Sequence, residues 1–455
     1  MLNADTICAI STPPGEGGIG IIRMSGPLAH PILRKIFNAK KKQERFTSRK
    51  LYLGSITNPE NRKTTDEVFA VFMYTPHTYT KEDIAEVHSH GGFATQKNIL
   101  SLMMKYGARL AEPGEFTKRA FLNGRIDLLQ AESVLDIIQS ETDEELQYAM
   151  DYLKGKLSRK MSSFKDHMKG MLVEIEALID FPDEDIEIDE KAHLLTLTKT
   201  KQEIARLINS YYEGKAVKQG LEALIIGRTN VGKSSLLNAL LFKEKAIVTS
   251  LPGTTRDLIE DTIHIKGIKV KIIDTAGLRT PKDIAEKEGI ERVKRKIPQA
   301  DLIIWVLDGS EPYSGEDEAI YTHVKEKNTI VVINKIDLPQ ALERAILTSR
   351  DLQWKEISAL KDKGLEELTH DIYEKLIGKS GKGSTMLITN LRHKEALIKT
   401  KEAIERAIIC KKKEEPLEFL AFELHEALYH LGEITGETCP EEILHEIFGR
   451  FCIGK

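Results

Sequence analysis

Leu221-Glu-Ala-Leu-Ile-Ile226, Gly227-Arg-Thr-Asn-Val-Gly-Lys-Ser234 and Ser235-Leu-Leu-Asn-Ala-Leu-Leu241 follow one another without interruption in the middle of the chain. The first run reads as a buried strand, the second matches G-x-x-x-x-G-K-[ST], and the third opens a helix. A glycine-rich turn at that junction points successive backbone N–H groups into one concavity, and the helix N-terminus behind it favours an anion. Lys233 then places a point charge where β- and γ-phosphates lie, and the Ser234 hydroxyl is a ligand for Mg²⁺. Strand and helix alternate from about Leu221 to Gly378, which predicts a parallel sheet with helices on both faces.

The loop alone suits ATP as well as GTP; three downstream elements choose. Asp274-Thr-Ala-Gly277 follows the apolar run Val270–Ile273 and offers a carboxylate to the metal and a glycine amide to the γ-phosphate. Asn334-Lys-Ile-Asp337 follows Thr329–Ile333, and the Asp337 carboxylate can accept from guanine N1–H and the 2-amino group together. Ser358-Ala-Leu360 can present amides to O6. Adenine leaves those polar groups unpaired, which penalises ATP. The nucleotide is therefore expected against Asn230, Val231, Gly232, Lys233, Ser234, Ser235, Thr275, Ala276, Gly277, Asn334, Lys335, Asp337, Ser358, Ala359 and Leu360. Gly253-Thr-Thr-Arg-Asp257 sits where a switch I loop belongs, its threonines able to reach Mg²⁺ only with the γ-phosphate in place. Ras-type proteins orient the attacking water with a glutamine after Gly277, but Leu278 stands here. Asp283, Glu286, Glu288 and Glu291 are acidic candidates for that task, Arg256 and Arg279 candidate charge stabilisers, and spacing does not choose among them.

With 455 residues the chain needs more than one core. A net charge of −4 with 30% charged residues gives no global attraction to nucleic acid or an anionic membrane. The N-terminal MLNADTICAI lacks a signal-peptide layout, and apolar runs such as 302–307 are too short to span a bilayer, so a cytoplasmic protein with no membrane association is expected. Cys8, Cys410, Cys439 and Cys452 form no CxxC pair and read as free thiols. Residues 1–120 mix short β-rich runs (51–56, 67–74) with Gly/Pro turns, an α+β unit. Leu146, Met150, Leu153, Leu157, Met161, Phe164, Met168, Met171, Ile175 and Leu178 predict one long helix ending near Phe181-Pro182, with a second helical segment over 194–212. Helical periodicity returns over 390–432 and 440–448. The expected architecture is multidomain α/β plus α: an N-terminal α+β domain (1–120), a helical domain in two parts (121–215 and 381–455), and an inserted Ras-like P-loop G domain (216–380) with a mainly parallel sheet.

Other motifs are discounted. Gly15-Glu-Gly-Gly-Ile-Gly20 imitates a dinucleotide fingerprint, but a β-like run follows it in place of a helix. Glu86-Val-His88-Ser-His90 lacks partners to complete a metal site. Asp183–Glu190 has no calcium-loop glycine, and Cys452-Ile-Gly-Lys455 fits a prenylation box poorly. Lys40-Lys-Lys42 and Lys411-Lys-Lys413 read as solvated faces that could also meet phosphate.

Taken together, Thr12-Pro-Pro-Gly15, Pro113-Gly-Glu-Phe116, Arg119-Ala-Phe-Leu-Asn123, Asp180-Phe-Pro-Asp-Glu184, Gly253-Thr-Thr-Arg-Asp257, Asp274-Thr-Ala-Gly-Leu-Arg279 and the Phe451-Cys-Ile-Gly-Lys455 tail resemble the MnmE (TrmE) family of tRNA modification GTPases over essentially the whole length. The resemblance implies GTP hydrolysis coupled, with the flavoprotein MnmG, to aminomethyl-type modification at C5 of the wobble uridine of certain tRNAs. The carbon comes from 5-formyl- or 5,10-methylene-tetrahydrofolate, bound at the positions matching Arg23, Glu86, Arg125 and Lys455; some relatives have lysine at the place of Arg125. It further implies a potassium-activated GTPase, with K⁺ held by Asn230, Thr249, Leu251 and Thr254, Mg²⁺ by Ser234 and Thr255, and Glu286 as the catalytic residue positioning water. Thr249, Thr254 and Thr255 thereby join the GTP-binding set, and Cys452 is a candidate functional thiol. Partners implied are a second copy of the chain, MnmG and tRNA. The competing expectation is a regulatory or ribosome-assembly GTPase without modification chemistry; a catalytically dead scaffold conflicts with intact Asn230, Lys233, Ser234 and Asp274.

Overall fold

The computed structural model of the chain describes residues 5–41, 45–183, 189–245, 260–265, 268–274, 297–298, 300–377 and 386–455. The chain divides into two compact units, one formed by 1–139, 149–198 and 399–455, the other by 140–148 and 199–398. The first unit opens with β1 (Thr6–Ile10), β2 (Gly20–Ser25), α1 (Ala29–Ile36), β3 (Phe37–Ala39), β4 (Leu51–Thr57), β5 (Thr64–Met73), β6 (Ile84–Ser89), α2 (Phe93–Lys105) and β7 (Ala108–Leu110). The strands form a seven-stranded sheet in the order β3-β4-β5-β6-β2-β1-β7. Neighbours are antiparallel except β1 with β7. Alternation sets the faces: Tyr52 and Ile56 turn inward with Ile22, Met24 and Phe72, against Ile32, Leu33, Ile99 and Met103 of the two helices. Gly20 begins β2, so the glycine run before it is a turn into a strand, as the discounted fingerprint required.

Next come α3 (Glu115–Leu122), α4 (Leu128–Gln139), α5 (Asp143–Leu153), α6 (Lys156–Asp180) and α7 (Glu190–Asn209). The one long helix predicted from Leu146 to Leu178 is two helices, and this corrects the sequence reading. Gly155 has φ +75° and ends the first run in the left-handed region, where glycine sits without strain. The stripe itself holds in α6, where Leu157, Met161, Phe164, Met168, Met171 and Ile175 are buried, while Leu146 on α5 is 40% exposed.

The second unit holds α8 (Tyr211–Gln219), β8 (Leu221–Ile226), α9 (Lys233–Lys245), β9 (Glu260–Ile265), β10 (Ile268–Asp274), β11 (Leu302–Asp308), α10 (Gly315–Val324), β12 (Thr329–Asn334), α11 (Ala345–Thr348), β13 (Trp354–Glu356) and α12 (Leu365–Ile377). Its six-stranded sheet runs β13-β12-β11-β8-β10-β9, parallel throughout except β9 against β10. Both faces are apolar. Ala223, Ile225, Ile304 and Val332 pack with Leu236, Leu240, Leu368 and Ile372, and Leu224, Ile226, Trp305 and Ile333 with Val324 and Leu347.

The stretch of helical periodicity over 390–432 holds two helices, α13 (Leu391–Lys412) and α14 (Leu417–Thr435), parted where Glu414 takes φ +51° and Pro416 caps the second. Helix α15 (Glu441–Gly449) completes the described elements.

Candidate functional site

The phosphate loop turns on glycines with no alternative. Gly227 has φ +156°, and a Cβ there would lie 2.4 Å from Val306 O; Gly232 has φ +95°, and its Cβ would lie 2.3 Å from Asn334 Nδ2. Asn230 between them takes φ +63°, a conformation Asn tolerates better than most residues. Lys233 is buried, and its Nζ donates to Gly227 O at 2.8 Å and Arg228 O at 2.6 Å. Val231 is buried, while Ser234 and Ser235 lie exposed on the first turn of α9.

Asn334 joins this loop to the base-recognition segments. Its Nδ2 donates to Val231 O at 2.9 Å, and its Oδ1 accepts from Ala359 N at 3.0 Å. Lys335, at φ +65°, donates to Asn230 O at 2.8 Å and pairs with Asp308 Oδ2 at 2.6 Å. Burial pushes the Asp308 carboxyl up, but Lys335 and Ser310 hold it below the usual carboxylate range. Asp337 Oδ1 accepts from Ser358 Oγ at 2.6 Å, and that bond chiefly holds the carboxyl below its ordinary value. Ser358 Oγ also accepts from Lys361 N at 3.1 Å, which fixes the turn carrying Ala359 and the 84% exposed Leu360. A fixed carboxylate beside ordered backbone amides is the donor and acceptor set that guanine needs. The sequence reading missed Asp308, although a strand closing on Leu307-Asp-Gly309 beside a second strand closing on Asn334-Lys335 was the available signal.

Asp274 is the last residue of β10. Thr249, Leu251, Thr254, Thr255, Thr275, Ala276, Gly277 and Glu286, like Asp283, Glu288, Glu291, Arg256 and Arg279, lie outside the described residues. The remaining expected contacts, from Asn230 to Ser235 and from Asn334 to Leu360, lie at the C-terminal ends of β8, β12 and β13.

A second site lies in the first unit, a cavity of about 380 Å³ lined by Met73, Ile84, Val134, Ile137, Ile138 and Leu153, with Tyr79, Arg23, Glu86 and Lys455 as its polar members. Register brings Arg23 of β2 opposite Glu86 of β6, and the pair closes at 2.7 Å. His88 Nε2 lies 3.3 Å from the other Glu86 oxygen. Burial raises the Glu86 carboxyl, but His88 and Arg23 hold it below its usual value, so it stays ionised. The Arg23 guanidinium lies 5.9 Å from the Tyr79 ring centre and 5.8 Å from that of Phe116. Arg125 stacks on Tyr79 at 4.8 Å, and the Tyr79 hydroxyl is 2.9 Å from Thr117 Oγ1. The tail carrying Lys455 is held by Phe116 N donating to Lys455 O at 3.2 Å and by pairing of Ile453 with Pro113. Gly454 has φ +99°, and a Cβ there would lie 2.4 Å from Ile10 O. Arg23, Glu86 and Lys455 thus share one cavity, and Arg125 reaches it through Tyr79. An apolar slot ending in one carboxylate and several cations fits a flat heterocycle bearing N–H donors and an anionic tail.

Cys452 is exposed and Cys439 half-buried, whereas burial pushes the Cys8 thiol up to about 12 and that of Cys410 up to about 11. Among the described residues no three His, Cys, Asp or Glu side chains are grouped to hold a metal, and no helix is long and apolar enough to cross a membrane.

Two family models match the chain, the GTP-binding protein TrmE N-terminus over residues 6–125 and the MnmE helical domain over residues 128–452. A tRNA modification GTPase MnmE from Natranaerobius thermophilus is 45% identical over 458 residues, covering 100% of both chains. Its counterpart from a Thermoanaerobacter species is 46% identical over 457 residues and 99% of both chains, and that from Geobacter metallireducens 43% identical over 460 residues and 100% of both. A solved structure of Era with MgGDPNP and a segment of 16S ribosomal RNA is 30% identical over 40% of this chain and 66% of that one, with a TM-score of 0.28.

Proposed function

The chain belongs to the MnmE family of tRNA modification GTPases, and from that membership we propose that it is a potassium-activated GTPase working with the flavoprotein MnmG to modify C5 of the wobble uridine of certain tRNAs. The one-carbon unit comes from 5-formyl- or 5,10-methylene-tetrahydrofolate. The observation that carries this reading is the Arg23–Glu86 pair at the polar end of an otherwise apolar cavity that Lys455 also lines. A regulatory or ribosome-assembly GTPase has no use for such a slot.

In the first unit Glu86 would accept from N–H donors of the folate, Arg23 and Tyr79 would hold its ring, and Lys455 and Arg125 would receive its anionic groups. Bound folate supplies the transferable carbon. In the second unit Lys233 neutralises phosphate charge, Asp337 and the amides of Ala359 and Leu360 read guanine, and Asn334 keeps the two loops in register. Ser234 and Thr255 would hold Mg²⁺; Asn230, Thr249, Leu251 and Thr254 would hold K⁺, which would supply positive charge beside the phosphates. Glu286 positions water. The protein acts as a cytoplasmic homodimer that meets MnmG and tRNA, with GTP hydrolysis driving its conformational cycle.

The test is titration of the full chain with 5-formyltetrahydrofolate against Arg23→Ala and Lys455→Ala. Saturable binding to the parent chain, weakened about tenfold or more in each variant, is expected from the loss of one charged contact. A parent chain that binds no folate refutes the reading. For hydrolysis, replacing K⁺ by Na⁺ and Glu286→Ala should each depress GTP turnover, the latter without loss of nucleotide affinity; unchanged turnover in either rejects that assignment.

A further inference from the structure

Arg228 follows the first glycine of the phosphate loop, and its two ends do different things. Its carbonyl oxygen accepts from Lys233 Nζ at 2.6 Å, next to the 2.8 Å bond from the same ammonium to Gly227 O. Its guanidinium, 14% exposed, turns away from the loop toward the start of α10. There Nη2 lies 3.1 Å from Glu311 Oε2 and donates to Pro312 O at 3.4 Å, and Nε lies 3.5 Å from Asp317 Oδ2. Asp317 is 1% exposed. Its Oδ2 accepts from Ser314 N at 3.0 Å and Ser314 Oγ at 2.9 Å, the capping box of α10, and its Oδ1 has no hydrogen-bond partner among the described residues. A buried carboxylate in that setting requires a nearby cation, and Arg228 provides it.

We propose that Arg228 is a positioning residue: anchored on Asp317, it fixes the carbonyls of residues 227 and 228, and through them the ammonium of Lys233, so that the Arg228–Asp317 pair sets nucleotide affinity. The physical need is plain from the sequence of the loop. Gly227 and Gly232 confer wide backbone freedom, and a loop that must be ordered at the moment of binding loses affinity by the entropy of ordering. Lys335 restrains the far side through Asn230 O, and Asn334 restrains the middle through Val231 O. At the near side, the Arg228 side chain ties the loop to α10, a rigid element. Because this action lies in binding and not in the chemical step, it separates KM from kcat.

The experiment uses the full chain with a fluorescent GTP analogue for affinity and steady-state hydrolysis for KM and kcat. For Arg228→Ala, Kd and KM rise about tenfold while kcat stays within about twofold, the signature of lost binding shared by ground and transition states. Asp317→Asn moves both the same way, and the double variant is no weaker than the worse single one, because each removes the same anchor. Arg228→Lys falls between parent and alanine, since the ammonium keeps the charge and loses the fork. Arg350→Ala is the control for mere destabilisation: it removes a 2.6 Å ion pair to Glu318 on the same helix without touching the loop, so it lowers the melting temperature and leaves Kd unchanged. Unchanged Kd in Arg228→Ala, additive losses in the double variant, or an equal rise in Kd from Arg350→Ala each overturn the proposal.

Discussion

In the proposed GTP site, base selection rests on the single oxygen pair of Asp337. Its carboxylate is half-buried, oriented by Ser358, and held below its ordinary value chiefly by that bond. Asp337→Asn replaces an acceptor pair by an amide that must present a donor to one of guanine's two donors. GTP affinity should fall about a hundredfold or more, while xanthosine triphosphate, which has an acceptor at the 2-position, should gain; competition titration measures both. Asp337, Lys233 and Asn334 were legible because each sits at a fixed offset from an apolar run. Arg23 and Glu86 were not readable from spacing. They lie far apart in the chain, and only the β2–β6 register makes them neighbours; family resemblance was what pointed to them. Tyr79 and Thr117 left no signal at all, since a hydroxyl pair between a loop and a helix has no sequence period.

At the scale of elements, buried strands were the easiest to read. Leu221–Ile226 is the strand the sequence predicts to the residue, because both its faces are buried and a glycine ends it. Long helices were read less well. The apolar stripe from Leu146 to Leu178 continued across Gly155, since periodicity records which face is buried and is blind to a break that preserves the phase. Gly155 offers a clean test of that break. Its φ is +75°, and the nearest atom to an added Cβ is Arg159 Nη1 at 3.4 Å, so the only cost of a side chain is backbone strain. Gly155→Ala should therefore destabilise by about 1 kcal/mol, measured by denaturant unfolding. A loss several times larger would mean that the turn is crowded as well.

On the scale of the whole molecule, each unit carries its own apolar core and, in the proposed reading, its own ligand site. A ligand that binds only the folded form raises the stability of the unit that holds it. Calorimetry should resolve two transitions, GDP raising one and 5-formyltetrahydrofolate the other; a single transition responding equally to both would show that the units unfold as one. The cysteines add a practical point. With Cys8 and Cys410 buried and their thiols shifted upward, and Cys439 half-buried, the most accessible thiol for a maleimide dye at neutral pH is Cys452, three residues from the lysine on the cavity wall. That thiol is a natural attachment point for an environment-sensitive fluorophore, which would let occupancy of the slot be followed optically in real time without engineering a new handle.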